Sequence, residues 1–285
     1  MKEFWLAYSS RSLFVLLSAV PVLAGVSYAL LYSLGLTGAL SEGFTLAHWQ
    51  EVLGDAGFWR TLGFSLYVGL MSIGIALALS LALVLREPKA FTHGRLSLLI
   101  YLPLSIPAIV MAFFIFQLLG KGGWLSRLSY QLGLISALEQ FPDWVNDNYG
   151  IGIIVAHVIM AAPFFTIFFA NLYQNERLGD YLHLAETLGA NRHQRILQVA
   201  LPVLLRRGLG TVFLYFMFVM GSYEIPLLVG SQSVQMVSVR TIQRLQRYNL
   251  GDIPEAYAIS VAYSVLVVIL LGGLLWYNRK QLGRV

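Results

Sequence analysis

Six stretches of this chain are apolar, almost free of charge, and long enough to cross a bilayer. They cover about residues 12–36, 61–85, 96–119, 150–174, 208–230 and 256–278. A hydrocarbon core about 30 Å thick needs about 20 helical residues. Lipid offers no partner for a bare peptide group, so only helices or closed barrels span it, and these runs are too long and continuous for barrel strands. The expected fold is an all-α integral membrane protein, with six transmembrane helices in a single transmembrane domain over residues 1–285. The composition agrees: 12% of residues are charged, against about 25% in a soluble domain.

Lysine and arginine set the expected orientation. With the N-terminus inside, the inner segments hold Lys2, Arg11, Arg86, Lys89, Arg95, Arg177, Arg192, Arg195, Arg206, Arg207, Arg279, Lys280 and Arg284, which is 13 of the 19 basic residues. That excess favours both termini on the cytoplasmic side. The first uncharged run, Ser12–Ser41, exceeds the roughly 7–15 residues of a signal-peptide core and reads as an uncleaved span. The outer segments differ from one another. Leu125, Leu128 and Leu132 have the spacing of a short surface helix, and Trp59, Trp124 and Trp144 read as interface anchors.

Much chemistry is missing. The chain has no cysteine, hence no disulfide, thiolate metal site or cysteine nucleophile. No Gly-rich loop of the GxxxxGK[ST] type is present to cradle a phosphate. The five histidines are scattered without metal-ligand spacing. These absences argue against an enzyme and place any energy source in another protein.

The segment of about 176–205 interrupts the apolar pattern with "NERLGDYLHLAETLGANRHQRILQVALP". Leu182, Ala185 and Leu188 make one apolar edge of a helix of about nine residues, roughly 13 Å long. Gly189 ends that helix. Asn191 and Gln194 have the spacing of a capping box that starts the next one. Pro202 bends or restarts the helix that follows. The segment is thus expected to be a stiff helix–turn–helix on the cytoplasmic side, offering its apolar edge to a partner.

At these residues the chain resembles the permease subunits of binding-protein-dependent bacterial ABC importers. Their cytoplasmic loop carries Glu-Ala-Ala, then Gly, then Leu-Pro. Here Ala185, Gly189, Ala190, Val199, Leu201 and Pro202 fall in that register, while His183 replaces the family's Glu and Leu184 its first Ala. "YLPLSIPAIVMAFFIFQLLGKGGWLSRL", "IIVAHVIMAAPFFTIFFANL" and "GSYEIPLLVG" are similar to the polyamine, ferric iron and thiamine branch, so the resemblance covers about residues 58–278.

The resemblance implies a type I importer fold in the bacterial inner membrane and a pore subunit driven by alternating access. It implies a coupling contact with the ATPase through His183, Leu184, Ala185, Glu186, Leu188, Gly189, Ala190 and Arg192, in which Glu186 offers a replacement acid. It implies no cofactor in this chain, with ATP and Mg held by two partner ATPase subunits. A second permease subunit, different from this one rather than identical, and an external binding protein complete the expected assembly. Nucleic acid is not an expected partner.

Glu224 is the lone acid in an expected span. It lies beside Ser222 and Tyr223, where Gly221 and Pro226 indicate a broken helix. Such a break is tolerated where it lines a cavity. Two readings stand: a pathway group facing a cationic substrate, or a rim acid paired with Arg240 or a neighbouring subunit. Arg240, Arg244 and Arg247 have three: contact with the binding protein, guidance of an anionic substrate, or pairing with Asp252 and Glu255. His157 reads as a packing or hydrogen-bonding group. The rival functional class is an ion- or proton-coupled carrier, which calls for several intramembrane acids or an internal repeat.

Overall fold

The computed structural model describes residues 2–38, 41, 43–88 and 95–282. Lys89 and Arg284 of the charge pattern lie outside the described residues. In chain order the helices are α1 (Lys2–Ser33), α2 (Ala47–Gly54), α3 (Ala56–Arg86), α4 (Arg95–Leu104), α5 (Ala108–Leu119), α6 (Trp124–Gln131), α7 (Ile151–Asn175), α8 (Leu178–Thr187), α9 (Arg192–Gln194), α10 (Leu201–Met220), α11 (Glu224–Val229), α12 (Val237–Leu245) and α13 (Asp252–Leu282). A π-helical stretch, Arg195–Ala200, joins α9 to α10. Among the described residues there is no strand.

Among the described residues, six helical segments are long and apolar enough to cross a membrane: Leu13–Ser33, Ala56–Arg86, Ala108–Gln131, Ile151–Asn175, Arg192–Met220 and Asp252–Gly273. Two of them differ from the sequence expectation, both at prolines. The run expected at 96–119 is split between α4 and α5. Pro107 has an extended ψ of 148°, and a proline also drives the residue before it out of helical geometry. The run expected at 208–230 ends at Met220, and its helix begins at Arg192. Pro202 lacks the N–H that would close an ordinary turn. The ladder widens to π geometry just before it, and the helix continues into the membrane.

The chain divides into two compact units, residues 1–60 with 240–285, and residues 61–239. In the first, α1 packs along α13, with the Tyr32 and Tyr257 rings 4.7 Å apart. Trp49 of α2 donates its indole N–H to Ser33 Oγ at 3.1 Å. No residue in the apolar window of α1 is fully buried, as suits a helix with lipid or another chain beside it.

In the second unit α5, α7 and α11 enclose an apolar core that includes Met111, Ile115, Ile153, Ile225 and Val229. Gly152 lets these helices close up, since a Cβ there would stand 2.7 Å from the Trp144 carbonyl oxygen. Helices α3 and α7 are joined by Ser80, whose hydroxyl reaches the Ala162 carbonyl at 2.8 Å. Small polar residues commonly serve as interhelical contacts in membranes. Asp147 fastens the start of α7, its Oδ1 accepting the Ile151 N–H at 2.9 Å.

The three tryptophans have different fates. Trp124 is 64% exposed and Trp59 is exposed as well, as interface anchors are. Trp144 is instead half-buried against the second unit's core. Helix α6 buries Ser126 and half-buries Leu125, and leaves Trp124, Arg127 and Leu128 exposed.

Candidate functional site

Helix α8 and the turn after it are built from local rules. Arg177, at φ +49°, breaks away from α7, and the fully buried Leu178 anchors the new helix. At the other end the N–H of Gly189 bonds the Glu186 carbonyl at 2.9 Å, and the N–H of Ala190 bonds the Ala185 carbonyl at 3.0 Å. This pair of bonds is the Schellman motif, which requires a left-handed residue between them. Gly189 supplies it at φ +88°. The chain then restarts through a reciprocal cap. Asn191 Oδ1 accepts the Gln194 N–H at 2.9 Å, and Gln194 Oε1 accepts the Asn191 N–H at 2.9 Å. Both caps involve the residues that the sequence singled out, but α8 starts earlier than expected, at Leu178.

The outward surface of α8 differs from the expected edge. Leu182 and Ala185 are half-buried, and α8 packs on the π-helical stretch. Leu188 stays outside at 80% exposure, joined by Leu184 at 58% and Tyr181 at 55%. Tyr181, Leu184 and Leu188 stand at i, i+3 and i+7, a second helical stripe that sequence reasoning passed over. His183 and Arg192 are exposed. Glu186 is engaged within the chain: its carboxylate lies 2.7 Å from Arg195 Nη1 and 3.8 Å from His183 Nδ1.

The second cluster sits where α10 ends. The helix stops at Gly221, and α11 begins at Glu224. Pro226 falls in the first turn of α11, where a missing N–H costs nothing, and the Ser222 carbonyl in the break between the helices accepts the Ser238 hydroxyl. Ser238 was not singled out in the sequence, and nothing local marks it. Ser222 and Tyr223 are half-buried, and Glu224 is exposed. Among the described residues no ion pair involves Glu224.

The arginines in and just after α12 are matched by acids of the same unit. Arg240 pairs with Asp55, Arg244 with Glu255, and Arg247 lies 3.3 Å from Asp252. Asp55 also approaches Arg244 at 3.5 Å and accepts the Gly57 N–H at 2.7 Å. Burial and the neighbouring Arg240 lower the pKa of Arg244. Pairing with Asp252 and Glu255 was one of the three readings left open. Asp55 is the acid that sequence reasoning missed, since it lies far along the chain from α12. His157 is buried, its Nδ1 2.8 Å from the Ile153 carbonyl oxygen, and among the described residues no group of His, Asp and Glu could hold a metal ion.

The chain as a whole is similar to known proteins. The family described as binding-protein-dependent transport system inner membrane component matches residues 71–280. PhnV of Salmonella choleraesuis, a permease protein assigned to a 2-aminoethylphosphonate transport system, is 26% identical over 248 residues, which is 85% of this chain and 84% of that protein. The thiamine transport system permease protein ThiP of Brucella suis is 27% identical over 222 residues, 76% of this chain and 38% of that protein. Among solved structures, a bacterial ABC transporter that imports the acidic polysaccharide alginate shares the fold. Its TM-score is 0.74 at 15% identity, over 98% of this chain and 96% of that one. The same kind of transporter in complex with an alginate-bound periplasmic protein matches with a TM-score of 0.66 at 17% identity, over 97% of this chain and 93% of that one.

Proposed function

This chain belongs to the family of binding-protein-dependent transport system inner membrane components, and from that premise we propose that α8 is the handle by which a separate ATPase drives it. The chain is a permease component of a binding-protein-dependent ABC importer of the bacterial inner membrane. In the proposed assembly both termini lie in the cytoplasm. Two ATPase subunits hold ATP and Mg, and each receives an α8 helix in a surface cleft. A second permease subunit, different from this one, completes the pathway. An external binding protein delivers the solute; the alginate transporter was solved in complex with an alginate-bound periplasmic protein. Catalysis in the proposed assembly belongs to the ATPase subunits.

The observation that carries the reading is a short helix capped at both sides of its turn, with Tyr181, Leu184 and Leu188 facing outward. A stiff element transmits a rigid-body shift that a loose loop would absorb. Closure of the ATPases on ATP then moves two such helices and switches the pore between inward- and outward-facing states. His183 and Arg192 flank the docking stripe. Gly189 and Ala190 hold its turn, while Ala185 and Glu186 face the chain's own next helix. The reading is tested by co-purification: Leu184→Glu should release the ATPase from the membrane assembly, and retained ATPase would refute it.

The proposed substrate pathway passes Ser222, Tyr223 and Glu224. An acid near a span end with no ion pair among the described residues suits a solute that carries a cationic nitrogen. Aminoethylphosphonate and thiamine, named for the relatives, both carry one.

A further inference from the structure

The turn at Gly189–Asn191 joins two stiff helices, yet a turn can also act as a hinge. The two caps fix its hydrogen bonds, but they all lie within a few residues of the bend. A lever braced only at its elbow still flexes. The helix on the far side begins at Arg192 and turns π-helical at Arg195, the less favourable of the helical ladders and one that often marks functional sites. Force applied to α8 would be lost there unless something spans the angle.

Glu186 and Arg195 span it. They lie on opposite sides of the turn, with the carboxylate 2.7 Å from Arg195 Nη1. The Arg195 side chain is 23% exposed, and α8 packs against its segment. The Glu186 carboxylate also faces His183 Nδ1 at 3.8 Å. We propose that the Glu186–Arg195 ion pair is a brace that makes α8 and the fifth span move as one body. Both are positioning residues: they hold the angle at which α8 meets its driver. The proposal rests on α8 being the coupling helix. It also gives Glu186 an in-chain task, distinct from the replacement docking acid inferred from the sequence.

The experiment uses the whole importer in proteoliposomes and reads two ratios, ATPase retained per permease and solute taken up per ATP hydrolysed. Glu186→Gln and Arg195→Gln should keep the ATPase attached but lower uptake per ATP by about two- to five-fold, the scale of a partly exposed ion pair. The reversed pair, Glu186→Arg with Arg195→Glu, should recover most of the loss. A merely structural role would lower the amount of folded importer and leave the uptake per ATP hydrolysed unchanged. Should Arg195→Gln fail to assemble, Arg195→Lys replaces it: it keeps the charge, loses the fork, and should fall between wild type and Glu186→Gln. Wild-type coupling in the single variants, or a reversed pair no better than the worse single, overturns the brace. If Leu184→Glu leaves the ATPase attached, the coupling-helix reading itself fails, whatever the charge variants do.

Discussion

Replacing Gly189 isolates the stiffness of the coupling turn from every other property of the loop. A Cβ added at Gly189 meets no heavy atom within 4 Å, so a substitution costs backbone strain and nothing else. At φ +88° an ordinary side chain costs about 1–3 kcal/mol, and a β-branched one lies at the upper end. That shifts the balance between capped and uncapped turn by about 5- to 150-fold. Asparagine tolerates left-handed backbone and serves at this position in many helix stops, so it should cost least. The expected order of lost uptake per ATP is Gly189→Val, then Gly189→Ala, then Gly189→Asn, measured in proteoliposomes containing equal amounts of assembled importer. ATP hydrolysis should persist in all three. Wild-type uptake in Gly189→Val would refute the argument. So would a Gly189→Asn variant as impaired as Gly189→Val, because the loss would then not come from the backbone.

Three further outcomes follow from other parts of the molecule. Ser238→Ala strips the Ser222 carbonyl, in the break between α10 and α11, of its hydroxyl donor, which should lower unfolding stability in detergent by about 1–2 kcal/mol; an unchanged melting point contradicts it. Arg244→Ala leaves the Glu255 carboxylate, whose side chain is 11% exposed, without its partner. It should destabilise by about 3 kcal/mol, and Arg247→Ala, whose side chain is 61% exposed, by less than about 1 kcal/mol; equal effects would contradict the burial argument. Glu224→Gln should reduce uptake of a cationic solute while ATPase attachment is kept, and unchanged uptake removes Glu224 from the proposed pathway.

The features legible in the sequence are those that depend on short-range rules. Apolar run length marked six candidate spans, because lipid allows no alternative to a continuous helix. Gly189, Asn191 and Gln194 announced the turn, because caps are made between residues a few positions apart. Prolines indicated interruptions, but not how each would be met. Pro202 is absorbed by a π turn, whereas Pro226 falls in the first turn of α11, where no N–H is needed. What escaped the sequence is whatever depends on which face of a helix turns inward. Leu182 and Tyr181 are neighbours with similar apolar surface, yet packing of α8 on the next helix hides the first and exposes the second. The same packing brought Arg195 to Glu186, and chain reversal brought Asp55 to Arg240.

The central claim is that α8 is held by an ATPase, and a single cysteine tests it directly. The chain has no native cysteine, so Leu184→Cys introduces a unique thiol on the outward stripe, to be paired with single cysteines placed along the ATPase cleft. The account predicts a disulfide between Leu184→Cys and the ATPase subunit whose yield changes when ATP is added, with none from Trp124→Cys in α6. No cross-link from Leu184→Cys, or an equal one from Trp124→Cys, would contradict it.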